Sequence, residues 1–137
     1  MTQAGYQIAD IASIPSLAAS DPGEAEWKPI RQHFNIRSFG TNAYVATSTG
    51  DAVVGEHNEI DESGTRHEEL FFVAAGSARF TVAGEEFDAP AGTFVYIRDP
   101  AVMRAATAGA PGTTVLAVGG EPGAAFEISP WERKYVE

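Results

Sequence analysis

From Trp27 onward the chain breaks into short apolar segments separated by turn formers, and this rhythm limits what it can fold into more than any other feature. The segments are Ala43 to Thr49, Ala52 to Ile60, Leu70 to Ala74, Ala78 to Ala83, Phe94 to Ile97, Val102 to Thr107 and Thr113 to Val118. Several short strands at such spacing predict an all-β sandwich or barrel. Ala75-Gly76-Ser77 and Ala83-Gly84-Glu85 supply glycine where a tight hairpin needs positive φ, and Ala89-Pro90-Ala91-Gly92 makes a rigid bend before the next strand. No segment longer than about ten residues carries an apolar stripe of helical period.

Residues 1–25 mix small apolar residues with Pro15, Asp21, Pro22 and Gly23, and read as an irregular arm with one short strand or helical turn near Ile8 to Ile14. Residues 26–137 read as a single β-barrel domain. In the segment Leu70 to Ala74, Phe71 and Val73 fall on one face and Leu70 and Phe72 on the other, so both faces are apolar. One face fills the barrel, and the other packs on a second layer, either the arm or a partner subunit; a homodimer is the preferred expectation.

Charge and composition narrow the function. A formal net charge of −10 over 137 residues opposes a phosphate backbone, and the nine Lys and Arg residues are scattered, so nucleic acid and anionic membrane surfaces are excluded as expected partners. No apolar run approaches the roughly 20 residues of a membrane span. Met1 to Asp10 lacks the pattern of a secretion signal, which places the protein in the cytoplasm as an expectation. The chain has no cysteine, so thiolate metal sites and cysteine nucleophiles are excluded.

The stretch His67-Glu68-Glu69-Leu70-Phe71-Phe72-Val73-Ala74-Ala75-Gly76 resembles the second half of the first cupin motif, with a glutamate followed, seven positions on, by the glycine of a hairpin. Gly84 to Ile97, with its Ala89-Pro90-Ala91-Gly92 bend, resembles the hairpin and the turn that opens the second motif. The resemblance implies a cupin double-stranded β-helix, a jelly-roll barrel with an irregular N-terminal arm, holding a ligand in its open end. It also implies a divalent metal bound by three histidines and a glutamate, and here the sequence departs from the family. With Glu69 on the family's glutamate, an ungapped register puts Ser63 and Thr65 at its histidine pair and Met103 at its third histidine. One of the four expected ligands remains, so no cofactor is expected by default.

The leading expectation is therefore a small-molecule-binding cupin without the usual metal. Within it, Glu69 and His67 form a candidate acid–base pair, two positions apart on one strand face. The alternative for Glu69 is a structural carboxylate bonded to Arg104, Tyr96 or a backbone amide. Candidate ligand-contacting residues are Phe71, Phe80, Tyr96, Met103 and Arg104, with Met103 a soft apolar wall and Arg104 a partner for a ligand carboxylate. A second expectation is a metal-dependent oxygenase or isomerase in which His57, His67 and Glu69 hold one divalent ion. A third is a structural or sensory module whose barrel is filled by its own side chains, for which Phe71, Phe80 and Met103 are large enough.

Overall fold

In a computed structural model, residues 5–16, 21–61 and 65–136 are described. Nine strands form two antiparallel sheets. They are β1 (Glu26–Lys28), β2 (Gly40–Val45), β3 (Ala52–His57), β4 (Glu68–Ala75), β5 (Ser77–Val82), β6 (Glu85–Pro90), β7 (Phe94–Ile97), β8 (Arg104–Ala108) and β9 (Thr114–Gly120). The larger sheet has the order β1-β2-β9-β4-β7 and the smaller β3-β8-β5-β6. Sequence neighbours β3 and β4 thus lie in different sheets, as in a jelly roll.

The arm carries one 3₁₀ turn, Ile11–Ser13, capped by Asp10, inside the stretch where a short element is expected. It is fastened to the barrel by buried Ile14 and by Lys28, whose Nζ donates to the Ile14 carbonyl at 2.8 Å. Two short helices, α1 (Ile30–Phe34) and α2 (Pro130–Val136), escape the search for apolar stripes because each is two turns or less. Proline at the first position of α2 presets helical φ where no N–H is needed. The helices are joined by Arg31 and Glu132, whose charged atoms meet at 2.7 Å with both side chains buried. Among the described residues no helix is long and apolar enough to cross a membrane.

Period-two alternation explains most of the core. On β4, Phe71 and Val73 point between the sheets and are fully buried, while Leu70 and Phe72 on the outer face are half-buried. On β7, Val95 and Ile97 point inward, which sends Phe94 and Tyr96 outward. Phe71 and Phe80 meet at 5.8 Å between ring centres, and Phe80 stacks on Phe87 at the same distance. Each such buried ring contributes about 2 to 3 kcal/mol of hydrophobic stabilisation. The turn at Gly76, expected to close a hairpin, instead carries the chain from β4 in the larger sheet to β5 in the smaller; Gly76 stands at φ +71°, and a Cβ there would lie 2.8 Å from the Thr113 backbone, so the turn needs glycine for both conformation and space.

The strand β3 does not alternate. Its partners on β8 shift in register between Ala52 and Val54 and again between Val54 and His57, so Val54 faces Ala106 and His57 faces Arg104. One extra residue in each interval is a β-bulge. The first lets both Val53 and Val54 be buried, and the second turns His57 to the same side as Val54. The expected strand Ala52 to Ile60 also ends earlier, at His57. The Asn58 side chain accepts from the Ile60 and Asp61 backbone amides at 3.1 and 2.9 Å, which bends the chain back on itself.

Candidate ligand pocket between the sheets

The space between the sheets is divided. On the side of β5, β6 and β7 it is packed solid, whereas on the side of β1, β2 and β3 it opens into a cavity of about 610 Å³, within the range of small-molecule sites. Phe71 stands between the two parts, touching Phe80 in the packed half and lining the cavity.

The polar centre of the cavity is built from the end of β3 and the start of β4. His57 leaves β3 at the bulge, and Glu59 is turned inward by the Asn58 bend, with its own amide donating to the Pro100 carbonyl at 2.7 Å. Glu69 enters from β4, opposite Gly119 and Ile97. His57 Nε2 lies 3.6 Å from Glu69 Oε1 and 3.7 Å from Glu59 Oε2. Its Nδ1 is 2.7 Å from the Gly55 carbonyl, which assigns the ring proton to that nitrogen and turns Nε2 toward the carboxylates. Behind Glu69 sits Arg104, fully buried, donating from Nη1 to Glu69 Oε1 at 2.8 Å and from Nη2 to the Val102 carbonyl at 2.9 Å.

These neighbours set the protonation states. Burial works against a charged His57, but the hydrogen bond to Glu69, the Gly55 carbonyl and the charges of Glu69 and Glu59 outweigh it and raise its pKa above the ordinary histidine value. His67 goes the other way, because burial lowers its pKa more than the charges of Glu69 and Glu121 raise it. Tyr44 lines the same cavity, and burial, followed by the negative charges of Glu69, Glu59 and Glu132, pushes its phenol upward.

Of the residues singled out in the sequence, Glu69, His67, Phe71 and His57 line the cavity. His67 faces it as Glu69 does, but its ring lies 5.6 Å from that of Phe126, and the histidine within reach of the Glu69 carboxylate is His57. Arg104, a partner named for Glu69 in the sequence, is bonded to it rather than held out for a ligand. Phe80 lies in the packed half. Tyr96 is on the outer face, where alternation around Val95 and Ile97 sends it, and its hydroxyl donates to Glu68 at 2.5 Å. Met103 precedes β8 and is exposed, because the strand's first inward position falls to Arg104.

Glu59 was absent from the sequence candidates, and it completes the set in place of His67: donor atoms of His57, Glu59 and Glu69 all lie within 4.8 Å of one another. A signal for it exists. His57-Asn58-Glu59 has the same single intervening residue as the family's histidine pair, but a longer segment separates it from Glu69 than the ungapped register allows. Of the residues that register selects, Ser63 lies outside the described residues, and Thr65 does not line the cavity. Trp27, Phe126, Trp131, Glu132 and Tyr135 were also missed as lining residues, since the last four come from the C-terminal segment that folds over the cavity.

A search of solved structures finds this fold repeatedly. A cupin protein from Bacteroides fragilis superposes with a TM-score of 0.64 at 16% identity, covering 92% of each chain. The chain has the cupin fold. A sugar phosphate isomerase of the cupin superfamily from Silicibacter pomeroyi gives a TM-score of 0.64 at 14% identity, over 84% of this chain and 76% of that one. The plu4264 protein from Photorhabdus luminescens gives 0.61 at 12% identity, over 88% and 90%. No family model and no curated protein matches the sequence.

The cupin fold raises the question of a metal, and the donors answer it in two parts. Separations of 3.6 and 3.7 Å are those of ligands about 2.1 Å from a shared divalent ion, so in distance His57, Glu59 and Glu69 fit one. In charge the site already holds a cation: Arg104 binds the same Glu69 oxygen that faces His57, and Glu69 and Glu59 raise the pKa of that histidine.

Proposed function

We propose that this cupin binds a small molecule in the cavity between its sheets without a metal, with His57, Glu59 and Glu69 as its acid–base centre. The observation that carries the reading is the fully buried Arg104 on Glu69, which supplies the positive charge that a metal would otherwise bring. A histidine whose Nδ1 proton is anchored on a carbonyl presents Nε2 as the exchanging atom, and two carboxylates beside it stabilise its charged form. That apparatus takes a proton from a carbon of the ligand, which isomerisation returns at another atom, epimerisation returns to the opposite face of the same carbon, and elimination follows with loss of a leaving group from the adjacent atom. A cavity of about 610 Å³ supports a binding pocket over a barrel filled by its own side chains.

The test is a ligand screen followed by NMR in D₂O. A ligand that binds and exchanges one carbon-bound proton for deuterium, with exchange lost in His57→Gln while binding persists, supports the acid–base reading. Binding with no exchange for any hit reduces the protein to a binding module.

The close grouping of donor atoms favours one second reading, a cupin that holds a divalent ion through His57 Nε2 and one oxygen each of Glu59 and Glu69. The ion would act as a Lewis acid toward a ligand oxygen. Arg104→Met separates the readings, because removing the guanidinium should raise affinity for Mn²⁺ only if the three donors are a metal site.

A homodimer through the outer face of the larger sheet is part of the proposal. Phe72 and Phe94 stack there at 4.6 Å, and Phe94, on edge strand β7, is 64% exposed. Light scattering should give twice the monomer mass, falling to the monomer in Phe94→Glu; a monomeric parent would remove this element.

A further inference from the structure

The cavity's wall has two chemical components beyond the acid–base centre. One is aromatic: Trp27, Tyr44, Phe71, Phe126, Trp131 and Tyr135 all line it. Trp27 is the corner of this wall, with Trp131 at 5.2 Å and inclined by 56° and Tyr135 at 5.0 Å and inclined by 71°. Its indole N–H is fixed by Asn42 Oδ1 at 2.9 Å, so the corner is rigid. Rings set steeply to one another enclose a space from several sides, which parallel stacking does not do.

The other component is acidic. Asp21, Glu24, Glu56, Glu59, Glu69 and Glu132 line the cavity, and among the described lining residues there is no lysine or arginine. The cations at and behind the wall are spoken for: Arg104 binds Glu69, Arg31 binds Glu132, Lys28 binds the Ile14 carbonyl, and His57 faces Glu59 and Glu69. An anionic ligand, including one bearing a phosphate, would lose its water there without gaining a free cation. A positively charged ligand gains twice, from the carboxylates and from the electron-rich faces of the rings.

Building on the binding-pocket reading above, we infer that the cavity selects an organic cation, a substituted ammonium group seated against Trp27, Trp131 and Tyr135 with the carboxylates around it. The negative charges that raise the Tyr44 phenol act on the same space and in the same sense.

The chain's two tryptophans, Trp27 and Trp131, are both in this wall, so intrinsic fluorescence reports on the pocket without a label. The probes are choline, 3,3-dimethylbutan-1-ol and 3,3-dimethylbutanoate, which share one branched head and differ in charge. Choline should perturb the emission with an affinity about tenfold above the neutral alcohol, the scale of a desolvated cation–aromatic contact, and the carboxylate should bind weakest. Glu59→Gln, and separately the exposed Glu56→Gln, should weaken choline and leave the alcohol unchanged. An alcohol or carboxylate that binds as tightly as choline overturns the cation assignment while leaving the pocket in place. Failure of all three to bind at their highest soluble concentrations overturns the pocket reading and the assignment together.

Discussion

The two halves of the space between the sheets are built to opposite rules. Toward β5, β6 and β7, Phe80, Phe87, Val73 and Val115 close the interior with alternating side chains on regular strands. Toward β1, β2 and β3, a bulged strand and a bend bring His57 and Glu59 to Glu69 at the wall of a cavity, with Arg104 behind Glu69 and residues of the C-terminal helix in the wall. Burying those charges costs stability that a row of leucines would not, so the open half contributes less to folding than the packed half. The packed half provides the stability that makes this possible.

This division predicts where substitutions hurt. The largest effect belongs to the packed half: Phe80→Ala should cost about 4 kcal/mol in urea unfolding, since it removes a ring with no room to collapse around. Next comes the one buried charge on which the open half depends. Arg104→Met leaves Glu69 without its partner and should cost about 3 kcal/mol, most of it recovered in the double variant Arg104→Met/Glu69→Leu. A double variant no more stable than the single would show that Arg104 acts through packing alone. Smaller still, Trp131→Ala in the cavity wall should cost about 1 kcal/mol, because the side chain is well exposed in the free protein. A loss as large as that of Phe80 would erase the distinction between the halves.

The finest test lies in two histidines that line the same cavity. His57 has its pKa raised on folding, so the stability it contributes is full below about pH 6.5 and is lost as pH rises through its higher folded value. His67 has its pKa lowered, so its contribution is full above about pH 6.5 and is lost as pH falls through its lower folded value. Urea midpoints followed across pH should therefore change slope in opposite directions in His57→Asn and His67→Asn. Changes in the same direction would mean that the two rings do not sit in opposed surroundings.

The same division explains what the sequence disclosed. The packed half is readable because alternation governs it: Phe71 and Val73 against Leu70 and Phe72 come out on the faces expected, and Gly84 of the β5–β6 hairpin stands at positive φ, as does Gly76, although its turn crosses between the sheets instead of closing a hairpin. The open half resists the same reading because alternation fails there. The facing of His57 depends on a bulge that adds one residue to β3, and that of Glu59 on the Asn58 side chain ending the strand early. Arg104 was legible as a partner of Glu69, whereas Met103 was placed one position too far into the barrel because β8 starts at Arg104. The corner of the cavity's aromatic wall, Trp27 with Trp131 and Tyr135, is assembled from β1 and the C-terminal helix, which are distant in sequence and carry no periodicity to connect them.

The central claim is that Arg104, buried on Glu69, supplies the charge that a metal would bring, so that the proposed pocket works without one. Metal content by mass spectrometry, on untagged protein purified without chelators, tests it most directly when run beside Glu59→Gln. The account predicts metal far below one equivalent in both; near-stoichiometric metal in the parent that falls in the variant would contradict it and make the three donors a rebuilt metal site.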